Sequence, residues 1–114
     1  MEKKKLIEVV ERYLEAYNEK DLDGILELYA EDASMEDPVG SEPRSGRAAI
    51  REFYEHGFAM GAKVALDGGI RCAGDSVAFP MRASLGDTTI EIIDVFDLDS
   101  DGRIDRMRAY WSPE

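Results

Sequence analysis

TTIEIIDVFDLD, residues 88–99, decides how the rest of the chain is read. Successive side chains of a strand alternate, so residues 90, 92, 94, 96 and 98 share one face. That face reads Ile90, Ile92, Asp94, Phe96 and Leu98, four large apolar groups around one carboxylic acid. Burying an ionised carboxylate without partners is costly, so such a group tends to keep its proton, and its usual pKa of ~3.9 rises. A neutral Asp is a hydrogen-bond donor, and a donor in a dry apolar pocket stabilises a developing oxyanion. The plainer alternative is that Asp94 bonds a buried backbone group or another side chain.

Outward from this strand, the second half of the chain reads as strands with turn punctuation. Upstream, SVAFPMRASL places Val77, Phe79, Met81, Ala83 and Leu85 on one face, and Gly86-Asp87 turns into the strand of Asp94. Pro80 inside that run predicts an edge or a bulge. Downstream, DSDG turns into RIDRMRAYW, where Met107, Ala109 and Trp111 alternate inward. The first half reads helical. Leu6, Val9, Val10, Tyr13, Leu14 and Tyr17 recur at helical spacing. Asp21 is the expected N-cap of a second helix over DLDGILELYA, and Ser45 opens a third over SGRAAIREFYEHGFA. Between them ASMEDP is extended, with Ala33, Met35 and Asp37 on one side. Helices followed by an antiparallel meander predict an α+β fold, with helices packed on one face of a curved sheet.

The chain has 114 residues, 44% of them hydrophobic, and a net charge of −11. This length suits a single domain over residues 1–114, and the apolar content argues against disorder. The acidic balance argues against nucleic acid and anionic membrane surfaces as partners, since both demand basic patches. It fits a neutral ligand or a shielded site. Cys72 is the single cysteine, so no intramolecular disulfide forms and a reducing compartment is expected. The N-terminal MEKKKLIEVVERYLEAY is spaced as an amphipathic helix and not as a signal peptide. No segment approaches the ~18 apolar residues of a membrane span, so a cytoplasmic location is expected by default.

Asp37 is the second candidate carboxylate. It sits at a strand end before Pro38, where water can reach and the group can stay ionised as a general base. Asp-Pro is also ordinary turn chemistry. Tyr13, Tyr29 and Tyr54 lie on apolar helix faces, where core tyrosines that reach one polar partner are the usual case; a phenol aimed into a cavity also donates to an oxyanion. A base and an oxyanion donor, with no nucleophile and no metal, suit proton abstraction next to a carbonyl. Other motifs carry less. DLDSDGRID imitates a calcium loop at Asp97, Asp99 and Asp101, but Arg108 stands where a bidentate Glu is needed, and a hairpin turn is the better account. His56 reads as a solvated residue near a helix end, Cys72 as a small core residue, and LDGGI as a turn.

The stretches RYLEAY, LYAEDASMEDPVG, GRAAIREFYEHG, IIDVF and DGRIDRMRAYW run in the order and nearly the spacing of the bacterial Δ5-3-ketosteroid isomerases, which the chain resembles over almost its whole length. Those enzymes are themselves the established example of a carboxylic acid held neutral in an apolar site. The resemblance implies a cone-shaped nuclear transport factor 2-like (cystatin-like) fold, a mixed, mainly antiparallel sheet, a homodimer, no cofactor and no metal. It implies Asp37 as the base that carries a proton from C4 to C6 of a 3-oxo-Δ5-steroid. Tyr13 and protonated Asp94 match the donors to the C3 oxygen, and Tyr54 and Tyr29 match the tyrosines behind Tyr13. Trp111, Met107, Phe79 and Met81 fall where the family lines its steroid cleft. The hairpin joining FPMRASL to TTIEII is shorter than the family's, and FPM stands in place of MPF, as in a shortened or redesigned member. A non-catalytic binding module for apolar ligands on the same fold is the alternative: it would bind a steroid without turnover.

Overall fold

A computed structural model describes residues 1–113. Helix α1 (Lys3–Asn18) and helix α2 (Leu22–Leu28) lead into strand β1 (Tyr29–Glu36), the short strand β2 (Arg44–Ser45) and helix α3 (Arg47–Ala59). Strands β3 (Lys63–Leu66), β4 (Arg71–Ala73), β5 (Ser76–Leu85), β6 (Thr88–Leu98) and β7 (Ile104–Tyr110) follow. They form one sheet in the order β2-β1-β7-β6-β5-β3, with β4 also paired to β5. Strand β1 runs parallel to β7, and the other pairings are antiparallel. This is the expected α+β architecture with a mixed, mainly antiparallel sheet.

The apolar stripe of α1 buries Leu6, Val9, Val10, Tyr13, Ala16 and Tyr17, the pattern of a helix with one face on the core. The carboxylate of Asp21 caps α2 by accepting from the Gly24 N–H at 3.0 Å, and it also meets the Arg12 guanidinium at 2.9 Å. Asn18, at the end of α1, fastens the helix to the edge of the sheet. Its side-chain amide donates to the Val64 carbonyl and accepts from the Val64 N–H, both at 2.8 Å, as a neighbouring strand would. Inward residues of β5 and β6 meet the helices in a core that includes Phe79 and Phe96.

Two local expectations change. Ser45 does not open the third helix: it pairs with Ser34 across β1 and β2, and Gly46 takes the N-cap position at φ +86, a conformation that suits glycine. Pro80 lies in a strand flanked on both sides, not on an edge. Strand β3 covers β5 from Met81 to Ser84 and β4 covers it from Ser76 to Ala78, so Pro80 falls where one gives way to the other. On that flank its carbonyl accepts from Asp67 N–H at 2.9 Å, and the missing N–H leaves no ladder bond broken. The β5–β6 hairpin closes tightly, with Leu85 opposite Thr88 and Gly86 at φ +60. At the other turn the Asp99 carboxylate accepts from the N–H groups of Asp101 and Arg103, at 2.9 and 3.0 Å, which gives it a role in the hairpin. Among the described residues no helix is long and apolar enough to cross a membrane.

Candidate active site

The alternation of β6 puts Asp94 on the core face, where it is 1% exposed. Across the sheet it stands between Phe79 on β5 and Ala109 on β7. Neither of its carboxyl oxygens has a hydrogen-bond partner among the described residues. Burial pushes its pKa well above the usual carboxylate range, and the negative charge of Asp37 pushes it further the same way. Burial thus favours the protonated form of Asp94, and among the described residues no protein group is placed to receive that proton.

Tyr13 comes to the same region from α1, with its ring 5.1 Å from that of Phe96. Behind it the Tyr54 hydroxyl donates to the Tyr13 oxygen at 3.2 Å, and the Tyr54 and Tyr29 oxygens lie 2.5 Å apart. Each phenol has one proton. With Tyr54 donating to Tyr13, Tyr29 donates to Tyr54, and the proton of Tyr13 is left to point away from the chain. Such a relay polarises its last member. All three phenols are buried and burial raises each of their pKa values well above 10.0, so they act as donors and not as bases.

Asp37 is half-buried, one residue past the end of β1. Because β1 and β7 are parallel neighbours, both leave the sheet at the same end, and this brings Trp111 beside Asp37. The indole N–H donates to Asp37 Oδ1 at 2.6 Å. Burial raises the Asp37 pKa; the Trp111 hydrogen bond and the charge of Arg44 hold it back. The two carboxyl groups are thus unequal: Asp94 is sealed without a partner, whereas Asp37 is only half-buried and has one donor, Trp111, and the charge of Arg44 favouring its ionised form.

Beside Asp37 lies a cavity of about 380 Å³, within the usual size range for small-molecule sites. Tyr13, Asp37, Met81 and Trp111 line it, as do Tyr17, Phe53, Ile90, Ile92 and the mouth residues His56 and Met60. Asp94 lies just beneath the wall, next to Ile92 on its own strand. A larger groove of about 470 Å³ between α2 and α3 is lined by Asp23, Arg47 and Arg51 and gathers no buried titratable group.

The expected residues thus fall in two places. Tyr13, Asp37, Met81 and Trp111 face the cavity; Asp94, Tyr29 and Tyr54 are buried and do not line it. Phe79 and Met107 do not line it, contrary to expectation. They are 0% and 1% exposed, because they sit deeper on their strands, with Phe79 opposite Asp94 and Met107 opposite Phe96. The wall is made instead by the outer end of the β5–β6 hairpin. Tyr17, Phe53 and His56 are lining residues that the sequence reading did not assign; Tyr17, four residues after Tyr13 on the same helix face, had a readable signal.

The state of Asp94 carries a stability consequence. A carboxyl whose folded pKa is raised above its ordinary 3.8 takes up a proton on folding in the interval between the two values, so stability falls as pH rises across it. Asp94→Asn, which is neutral at every pH, should remove that slope. Its melting temperature should exceed that of the wild type by several degrees at about pH 8, and the difference should shrink towards about pH 4. Thermal unfolding followed by circular dichroism checks this; a difference independent of pH would contradict the buried neutral acid.

Residues 10–107 match the SnoaL-like domain family. The chain is 44% identical over 109 residues to a steroid Delta-isomerase of Nocardioides simplex, covering 91% of this chain and 87% of that protein. It is 33% identical over 125 residues to the epoxide hydrolase LasB of Streptomyces lasalocidi, covering 82% of this chain and 43% of that longer protein. A solved structure of SalBIII, an epoxide hydrolase/cyclase-like enzyme in pyran ring formation in the polyether salinomycin, superposes with a TM-score of 0.89 at 34% identity. That superposition covers 98% of this chain and 94% of the other. The resemblance to steroid isomerases read from the sequence holds, and so does the nuclear transport factor 2-like fold it implied. These relatives are enzymes, and on sequence and structure together the chain belongs to the SnoaL-like domain family.

Proposed function

We propose that the chain is a steroid Δ-isomerase, moving the double bond of a 3-oxo-Δ5-steroid to Δ4 without a cofactor. The observation that carries this reading is the sealed, unpartnered carboxyl of Asp94 within electrostatic reach of Tyr13, whose own proton is free, with Tyr13 and Asp37 both lining one cavity. The 44% identity to a steroid Delta-isomerase supports the same reading.

The ionised Asp37 takes a proton from C4. The electron pair of the broken C–H bond moves into the ring, and charge builds on the C3 oxygen as a dienolate. Tyr13 and Asp94 stabilise that oxygen by donating hydrogen bonds that strengthen as the charge develops. Asp37 then returns the same proton to C6, the dienolate collapses to the conjugated ketone, and the base is ionised again. Trp111 holds the carboxylate of Asp37 toward the substrate. Walls of Met81, Phe53, Ile90 and Ile92 exclude water, which makes each donor more effective.

A second reading is favoured by the 34% identity to SalBIII over nearly the whole chain: opening of an epoxide, with a neutral Asp94 as the acid and Asp37 as the base. The higher identity to the steroid enzyme ranks it second. Turnover decides. Formation of the conjugated ketone, followed by ultraviolet absorbance, should slow by about 10²–10⁴ in Asp37→Asn and by about 10²–10³ in Tyr13→Phe. Full activity in Asp37→Asn would overturn the assignment. No turnover by the wild type, with tight binding of a phenolic steroid, would make the cavity a binding module.

A homodimer is part of the proposal, as the resemblance implies. Pro80, Ile93 and Tyr110 adjoin across the outer face of the sheet, with Ile93 43% and Tyr110 44% exposed. Sedimentation should give twice the chain mass, and Ile93→Asp should shift it to monomer; a monomeric wild type would remove the dimer from the account.

A further inference from the structure

Tyr17 is a polar group in the cavity that the proposed reaction does not use. It follows Tyr13 by one turn of α1, and the two rings lie 6.3 Å apart. The residue is 8% exposed, with its ring packed against Phe58 at 5.1 Å and Tyr54 at 6.0 Å. Its side chain faces the cavity, and its hydroxyl has no hydrogen-bond partner among the described residues. A nearly buried phenol normally has one. Burial, and after it the negative charge of Asp37, push its pKa up to about 12, so it keeps its proton and remains a donor.

The neighbouring helix is shaped around this hydroxyl. Gly57 lies inside α3 with ordinary helical backbone, where alanine is the better helix former. A Cβ at Gly57 would meet the Tyr17 hydroxyl oxygen at 2.7 Å, closer than any real contact, but the ring carbon that bears it at 3.8 Å, an ordinary one. The missing methyl group therefore leaves room for the hydroxyl and not for the ring. Gly57 and Tyr17 together add a polar point, besides Tyr13 and Asp37, to a cavity whose lining includes Val64, Ala83 and Ile90.

We propose that Tyr17 is a specificity-determining residue, whose hydroxyl over Gly57 receives a second oxygen of the substrate, a hydroxyl or carbonyl set apart from the carbonyl seated at Tyr13 as the two phenol rings are, 6.3 Å between centroids. The proposal rests on the ketosteroid reading for the identity of the first oxygen. Unsubstituted ring systems leave the Tyr17 donor dry and unpaired, and a site built to bond a substrate oxygen discriminates against the analogue that lacks it.

Equilibrium binding tests this apart from turnover. The probes are 3-ketosteroids with the Δ4 double bond already in place, one without further oxygens and a set each carrying a single hydroxyl at successive ring positions. The wild type should prefer one hydroxylated isomer over the parent by about tenfold, and Tyr17→Phe should bring that ratio close to one. A wild type that prefers none, a wild type that binds none, or a preference that survives in Tyr17→Phe would overturn the proposal. Loss of isomerase activity in every assay with this preference intact would instead count against the catalytic reading alone. The geometry has its own check: Gly57→Ala should lower the melting temperature in the wild type and be tolerated in the Tyr17→Phe background. An equal loss in both backgrounds would mean that the hydroxyl is not what Gly57 accommodates.

Discussion

The desolvation of one carboxyl group organises the site. Asp94 occupies a core-facing position of β6 between Phe79 and Ala109, where water does not reach. In that setting an ionised carboxylate would be far costlier than a protonated one, so the strand itself determines the chemistry of the side chain. A protonated acid still wants an acceptor. No described group supplies one.

Everything else in the arrangement follows from holding the opposite property at Asp37. The parallel pairing of β1 with β7 is the unusual contact in a sheet that is otherwise antiparallel, and it is what carries Asp37 and Trp111 out of the sheet side by side. One carboxyl is thereby buried without a partner and the other is partly buried with two groups that favour its charge. Burial raises the pKa of both side chains, and only Asp37 has neighbours that oppose the rise. The phenol chain from Tyr29 through Tyr54 to Tyr13 adds a second donor without adding a charge.

Much of this was legible along the chain. The period-two pattern at Ile90, Ile92, Asp94, Phe96 and Leu98 places Asp94 inside without knowledge of any other strand, and Asp21 marks a helix start by its type and position alone. Periodicity reports which face a residue is on and not how deep along the strand the cavity begins. Phe79 and Met107 are for that reason correctly inward yet part of the packed core, while Ile90 and Ile92, on the same face as Asp94, form wall. Ser45 and Pro80 depended on pairing between distant segments, β2 with β1 and β5 with both β3 and β4, which local turn and cap rules do not contain. Trp111 beside Asp37 and Gly57 beneath Tyr17 are likewise contacts between elements far apart in the chain.

The central claim is that Asp94 keeps its proton in the folded protein at neutral pH. Difference infrared spectroscopy between the wild type and Asp94→Asn reads this directly, since a protonated carboxyl and a carboxylate absorb in separate regions. A protonated-carboxyl band is expected in the wild type near pH 7 and is expected to be absent from the variant. A carboxylate band for Asp94 under the same conditions would contradict it, and with it the role of that side chain as a hydrogen-bond donor.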